Sequence, residues 1–296
     1  MAKKKGIFSA ILKLILGLLG VIVLVVVGGY CYLKFALGID VIDITKKLNL
    51  ISSPVSESQI VSNSFEKEDG VDILSNMFGS NDIVTKDGDK YTFNIEAYAQ
   101  ADLQIDPMLS DSDVASLFAL FVEGVDANTI GIDKELVKYI TLKQIKFSNL
   151  VVSSDATSVD VNYIFAADLV SVKKDAAEQN AIISFLVNKF VPDKLYLSST
   201  FNIQLPKDNY QEYTTTTNSF VLNNLNQEQT NGVLDVLSIF SSEDLKVTLS
   251  DKLNTMFCDA LFGGNGNKGL VGNIKSVASV EFVEDIENIK IFIKKV

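Results

Sequence analysis

The chain has 296 residues and a formal net charge of −11, and all 26 of its basic residues are lysines, since arginine and histidine are absent. Without histidine it lacks the usual general base near neutral pH and the commonest metal ligand. Without arginine it lacks the bidentate clamp for carboxylate and phosphate groups. The acidic balance argues against nucleic acid as a partner, because like charges repel.

An apolar stretch near the N-terminus predicts a membrane anchor. Residues 14–33 are uncharged and long enough to span a bilayer core as one helix. The lysines before this stretch predict a cytosolic N-terminus. A signal peptide would have a shorter apolar region and a small-residue cleavage site, whereas Tyr30 and Tyr32 are bulky. We expect a basic cytosolic tail over residues 1–13 and an uncleaved, single-pass transmembrane helix over residues 14–34.

The remaining residues are expected to lie outside the cytoplasm, in the cell envelope of a bacterium. They contain all 37 acidic residues against 21 lysines, a net charge of −16. No asparagine begins an Asn-X-Ser/Thr sequon, which favours a cell that does not N-glycosylate its proteins. Cys31 falls in the anchor and Cys258 in the domain, so an intramolecular disulfide is not expected.

Residues 35–89 read as a connector of short helices and turns, and the extracytoplasmic domain is expected over residues 90–296. Tyr91, Phe93 and Ile95 alternate with polar residues, which predicts a strand running on to Ile105. Further along the chain, apolar periodicities and turn residues predict helices and strand hairpins. The predicted helices cover Val114–Val122 (capped by Ser110 or Asp111), Asp175–Val191, and residues near 227–240 and 250–261. The predicted strands are Ile140–Val152, Val159–Leu169, Leu195–Leu205, Tyr213–Leu222, Val277–Val283 and Ile289–Ile293.

These elements predict an α+β fold, because the strands are joined by hairpins rather than by helical crossovers. Several predicted helices are apolar on most sides, so most of their surface must be buried against other elements. Long antiparallel strands can bury these helices if the sheet curves around them. Such an architecture is loosely similar to that of tubular lipid-binding domains, an analogy of fold alone. Residues 103–121 and 222–240 share a register of apolar positions, which leaves open a duplicated strand–helix–hairpin unit, with halves at residues 90–191 and 192–296.

No motif in the sequence predicts a catalytic, cofactor or metal site. Gly264, Gly266 and Gly269 match a dinucleotide-binding pattern by letter, but they follow a helix and precede a strand, the reverse of the required order. Cys258 has no histidine to activate it. Four aspartates lie close together in sequence without the spacing of a calcium loop. They are Asp102, Asp106, Asp111 and Asp113.

Two functions are consistent with these features. The first is a non-catalytic structural or protein-interaction domain of the envelope, held at the membrane by its helix. The alternative is a module that binds a lipid or another apolar ligand in a groove lined by the most apolar helices. The groove would be formed by Leu117, Phe118, Leu120, Phe121, Val236, Leu237, Ile239 and Phe240.

Overall fold

The computed structural model describes residues 40–79, 82–88, 90–124, 139–178, 181–238, 244–263, 269–272, 274–286 and 288–296. The expected anchor and the basic tail lie outside these residues. Within the described ranges, no helix combines the length and the apolar character that a membrane crossing requires.

The described elements are helices and antiparallel strands, so the α+β class is confirmed. The helices are α1 (Val41–Ser52), α2 (Asp69–Phe78), α3 (Ile95–Gln100), α4 (Asp111–Gly124), α5 (Val170–Ala177), α6 (Ala181–Phe190), α7 (Gln227–Ser238) and α8 (Leu245–Phe262). The strands are β1 (Val84–Asp87), β2 (Lys90–Phe93), β3 (Met108–Leu109), β4 (Ile140–Val152), β5 (Ala156–Asp168), β6 (Lys194–Pro206), β7 (Thr214–Leu222), β8 (Val277–Asp285) and β9 (Asn288–Lys295).

The strands form three sheets. The largest has the order β4-β5-β6-β7, so each strand pairs with its neighbour in the chain. A smaller sheet has the order β3-β9-β8, and its strands pair antiparallel. Strands β1 and β2 make an antiparallel pair in which Val84 lies opposite Phe93. The β4–β5 and β8–β9 pairs are joined by short turns, and the period-two patterns of the sequence predict all four of these strands.

The described residues divide into two compact units, and each unit gathers three separate stretches of the chain. Strands β5, β6 and β7 and helix α8 contribute residues to both units. Unit 1 comprises residues up to 60, 166–198 and 219–252, and unit 2 comprises residues 61–165, 199–218 and 253–296.

In unit 1, helix α1 packs against α6 and α7, and α5 packs against α6. A buried asparagine joins these helices to the sheet. The side chain of Asn223 accepts a hydrogen bond from the Tyr196 amide at 2.9 Å and donates to the Ile51 carbonyl at 3.2 Å. Its φ of 52° lies in the left-handed region, which asparagine tolerates better than most residues. Asn223 therefore both turns the chain after β7 and fixes the C-terminal end of α1.

In unit 2, helix α4 lies at the centre and packs against α2, β2 and β4. Close packing at two glycines shows how tight these contacts are. A Cβ on Gly70 of α2 would lie 3.1 Å from the Ser116 carbonyl oxygen, and one on Gly124 would lie 2.9 Å from the Phe93 Cβ. Larger residues at these positions would push α4 away from its neighbours.

Two predicted elements are wrong in part. The strand expected from Tyr91 to Ile105 ends at Phe93, and helix α3 follows. Asn94 is the N-cap of α3, and its side chain accepts a hydrogen bond from the Ala97 amide at 3.0 Å. The single helix expected over Asp175–Val191 is two helices, α5 and α6, and α5 begins earlier, at Val170.

Other sequence predictions are confirmed. Helix α4 is capped by Ser110, whose hydroxyl accepts from the Asp113 amide while the Asp113 carboxylate accepts from the Ser110 amide. This reciprocal pair satisfies two amides that a helix N-terminus otherwise leaves without partners. The strands predicted at Val159–Leu169 and Leu195–Leu205 are present as β5 and β6, and their Phe165 and Phe201 are buried at 3% and 0% exposure.

Candidate functional site

The residues predicted to line an apolar groove divide between the two units. Four of them, on α4 in unit 2, are each no more than 2% exposed. Val236 and Leu237 on α7 belong to unit 1 and are 3% and 1% exposed. Ile239 and Phe240 lie outside the described residues. Burial alone fits both a groove and a filled core, so the neighbours of these side chains decide between them.

On α4, the neighbours of Phe118 are other aromatic rings. Its ring stacks on Phe257 of α8 with centroids 5.3 Å apart, and Phe165 of β5 lies 6.3 Å away. Tyr163 also stacks on Phe257, with ring centroids 5.4 Å apart, and Phe201 packs edge-on against Phe257 at 5.9 Å. These separations are those of rings in direct contact. We call these five residues the Phe257 cluster, and it occupies the space that Phe118 faces.

The other end of α4 is covered in the same way. Phe121 packs edge-on against Phe93 at 5.2 Å, and Phe93 packs edge-on against Tyr98 of α3 at 5.0 Å. The Tyr98 hydroxyl donates to the Leu270 carbonyl at 2.6 Å, and burial raises the pKa of this phenol. The ring of Tyr98 thus closes the core while its hydroxyl is satisfied by backbone.

A buried polar cluster lies beside these rings and centres on Asn254 of α8. The Asn254 side-chain oxygen accepts from the Tyr163 hydroxyl at 2.8 Å and from the Ser199 hydroxyl at 2.9 Å. Its amide group donates to the Thr217 hydroxyl at 2.8 Å. Since these partners sit on β5, β6 and β7, one side chain joins α8 to three strands. We call the four residues the Asn254 cluster.

The sequence patterns described above do not single out Asn254. The signal that could have found it is its place between the buried Leu253 and Phe257, on the apolar side of the helix. An amide in such a position needs buried partners, because an unsatisfied polar group is costly. Its partners are invisible in the sequence, because they come from strands up to 91 residues away.

Two titratable groups in or near this cluster, Cys258 and Tyr163, are held in their neutral forms. Burial, aided by the neighbouring Asp259, raises the pKa of the Cys258 thiol well above its ordinary value. Burial is also the main reason that the pKa of Tyr163 is raised, with a smaller contribution from Cys258. Both side chains are 0% exposed. A protonated thiol is a weak nucleophile, so this geometry favours packing over chemistry.

A second polar cluster lies on the other face of the large sheet. The Asp160 carboxylate on β5 accepts hydrogen bonds from the amide groups of Asn149 on β4 at 2.8 Å, Asn202 on β6 at 2.9 Å and Asn218 on β7 at 3.1 Å. We call these residues the Asp160 row, because they cross the four strands in order. Partial burial raises the pKa of Asp160, but the three hydrogen bonds lower it more, and the net shift is downward.

Three of the four aspartates that lie close together in sequence bind separate structural partners. Asp106 accepts from the Lys295 amide at 2.8 Å, and Asp111 accepts from the Asn63 side chain at 3.3 Å. Asp113 belongs to the N-terminal cap of α4. Among the described residues, no group of three or more cysteines, aspartates or glutamates is placed to hold a metal ion.

Gly269 of the glycine-rich segment has a packing role. A Cβ at this position would lie 2.0 Å from the Gly263 amide nitrogen, so only glycine fits against the end of α8. The next two amides, of Leu270 and Val271, donate to the Ala260 and Leu261 carbonyls at 2.7 Å. They satisfy carbonyls that the end of the helix leaves open.

Comparison with protein-family models, curated proteins and solved structures finds no match to this chain. Function is therefore inferred from the clusters themselves. The Asn254 cluster joins α8 to three strands, the Asp160 row joins four strands, and the Phe257 cluster fills the core beside them. All three arrangements hold elements of unit 2 together.

Proposed function

We propose that the chain is a membrane-anchored protein of the bacterial cell envelope whose extracytoplasmic domain has a structural or protein-interaction role. The observation that carries this proposal is the Phe257 cluster. It occupies the place where the sequence predicts a ligand groove beside α4, with ring separations between 5.1 and 6.3 Å. A core that is filled beside α4 supports recognition of partners by the surface of this part of the domain.

The proposed absence of catalysis rests in part on two buried groups beside the Asn254 cluster, the Cys258 thiol and the Tyr163 phenol. Cys258 and Tyr163 are fully buried, and their raised pKa values keep them protonated. The chain has no histidine to act as a base, and no cofactor is proposed. The proposed partners are the membrane, through residues 14–34, and another protein of the envelope; nucleic acid is not among them.

Finer features of the architecture belong to the same proposal. In the duplicated unit, α4 leads into the β4–β5 hairpin, and α7 leads through α8 to the β8–β9 hairpin. The proposed second copy, which begins with α7, differs from the first copy by the additional helix α8 between its helix and its hairpin. Curvature of the large sheet around α4, the boundaries at residues 13, 34 and 89, and the halves 90–191 and 192–296 stay predictions.

A pair of alanines on α4 separates a filled core from a lipid-binding groove. Ala115 is 0% exposed, and Ala119 on the same helix is only partly buried. In a filled core, Ala115→Leu should cost about 1–3 kcal/mol through overpacking. Ala119→Leu is the matched control and should cost less than about 1 kcal/mol. Urea denaturation of both variants measures the difference.

The same variants test the alternative when an apolar dye is added. An open groove would accept both leucines with little loss of stability, the unmutated domain would take up the dye, and the leucines would block uptake. A destabilised Ala115→Leu variant together with no uptake by the unmutated domain removes the lipid-binding alternative. If both leucine variants are as stable as the unmutated domain, and the unmutated domain takes up the dye, the structural proposal is overturned.

The topology is tested separately by reporters fused after Val296. A reporter that is active only outside the cytosol should be active, and a cytosolic reporter should be silent. Mass spectrometry of the mature protein should recover residues 1–33. The reverse reporter pattern, or a new N-terminus near Tyr30, would contradict the proposed anchor.

A further inference from the structure

The two units differ in charge and in their distance along the chain from the anchor. From residue 40 onward, unit 1 contains 12 acidic residues and 8 lysines, whereas unit 2 contains 25 acidic residues and 13 lysines. Unit 2 therefore carries −12 of the −16 charges. Anionic headgroups repel such a unit, while unit 1, with a net charge of −4, meets a weaker repulsion.

The path from the proposed anchor holds unit 1 close to the bilayer. Helix α1 begins at Val41, seven residues beyond Lys34, the last residue of the proposed transmembrane segment. Even a fully extended chain covers only about 25 Å over that distance. Since α1 packs against α6, the anchor also keeps α6 near the membrane surface.

Helix α6 presents an unusual side chain to solvent. Phe185 is 63% exposed, and it is the only aromatic residue among the large exposed apolar side chains of the described residues. Lys189 follows one turn later on the same side, with its ammonium 5.7 Å from the Phe185 ring. An aromatic ring beside a lysine that can extend toward the headgroups is typical of helices that lie in a membrane interface. In the first turn of α1, Ile42 is also exposed, at 52%.

We propose that α6, with Phe185 and Lys189, rests on the extracytoplasmic surface of the bilayer that holds the anchor. Phe185 enters the boundary between headgroups and acyl chains, and Lys189 pairs with lipid phosphates. This inference rests on the proposed anchor and adds a second point of attachment. Two attachments orient unit 1 on the membrane, whereas the transmembrane helix alone leaves it free to rotate.

The test uses the absence of tryptophan from the chain. Phe185→Trp puts the one tryptophan of the full-length protein at the proposed contact, and excitation that tyrosine does not absorb selects its fluorescence. The protein is placed in nanodiscs of phosphatidylcholine and phosphatidylglycerol, with or without bromine on the acyl chains near the headgroups. A ring about 5–10 Å into the interface should lose about half or more of its fluorescence to bromine. The melting temperature checks that the variant folds.

Two further single-tryptophan variants separate the inference from its premise. Leu19→Trp reports the anchor and should be strongly quenched. Val152→Trp is the matched control, since Val152 is 62% exposed but belongs to the acidic unit 2, and it should not be quenched. If Leu19→Trp is quenched and Phe185→Trp is not, the membrane contact of α6 is overturned while the proposed anchor stands. Equal quenching of Phe185→Trp and Val152→Trp would overturn it as well, and an unquenched Leu19→Trp would overturn the anchor itself.

Discussion

Asp160 shows how a single carboxylate stabilises the large sheet. Its three amide donors come from β4, β6 and β7, and they lower its pKa despite partial burial. Hydrogen bonds to a charged acceptor are stronger than those between neutral groups. The ionised form of Asp160 therefore favours the folded state, and this stabilisation depends on pH.

The sign of that dependence follows from the lowered pKa. The contribution of Asp160 should be fully present above the unfolded pKa of about 3.9 and should disappear as the pH falls through the lower folded value. Asp160→Ala should thus destabilise the domain at neutral pH and much less in strong acid. Urea denaturation across this range measures it, with the exposed Asp208→Ala as control. An equal loss of stability at every pH would contradict the assigned ionisation.

Cys258 should behave as a buried core residue. Since its thiol is 0% exposed and its pKa is raised, a thiol reagent reaches it only when the domain opens. An opening free energy of about 4 kcal/mol slows labelling about a thousandfold relative to the protein in urea. The measurement uses a Cys31→Ser variant, so that Cys258 is the only thiol. Native labelling as fast as in urea would show that the thiol is accessible.

Among the elements, α3 shows where local chemistry overrides a periodic pattern. Tyr91 and Phe93 alternate as in a strand, and the alternation of apolar side chains continues at Ile95. Asn94 nevertheless ends the strand, because its side chain caps the next helix. Residues 96–100 are mostly good helix formers, which favours the same outcome. The cap residue is visible in the sequence, but the period-two pattern around it favours a strand.

The Asn94 cap has a measurable energy. Asn94→Ala should cost about 0.5–2 kcal/mol, because the Ala97 amide loses its acceptor. Asn94→Asp preserves the acceptor and is the matched control, with a loss of no more than a few tenths of a kcal/mol. Chemical denaturation compares the two variants. Equal losses for alanine and aspartate would mean that the cap does not stabilise the domain.

Long hairpins were predictable, and short or distant pairings were not. The β4–β5 hairpin has period-two strands around a serine-rich turn, so local sequence specifies it. Strand β3 has two residues and pairs with β9, with Met108 opposite Phe292, far along the chain. The break between α5 and α6 has no glycine or proline to announce it. Such features are decided by tertiary contacts.

The clusters of the candidate site could not be predicted for a related reason. The Asp160 row needs four strands in one register, and a shift by one residue would turn its side chains to the opposite face. A single sequence contains the asparagines but not the register that aligns them. By contrast, the apolar sequence of α4 predicts that its large side chains are buried, as they are at Leu117, Phe118, Leu120 and Phe121. It does not predict which residues pack against them.

At the scale of the whole molecule, charge separates the two units. Unit 1, the one closer along the chain to the proposed anchor, carries a net charge of −4, and unit 2 carries −12. Such a distribution keeps the domain soluble and repels acidic surfaces. It is consistent with the proposed attachment of unit 1, rather than unit 2, next to a membrane.

The most direct test of the filled interior is to look for bound lipid. Residues 40–296, without the proposed anchor, would be expressed, purified without detergent and examined by native mass spectrometry and solvent extraction. With the core occupied by the Phe257 cluster, the mass should equal that of the protein alone, and the extract should contain no stoichiometric lipid. A lipid bound in constant proportion to the protein, and lost on unfolding, would contradict the structural role and restore the apolar groove.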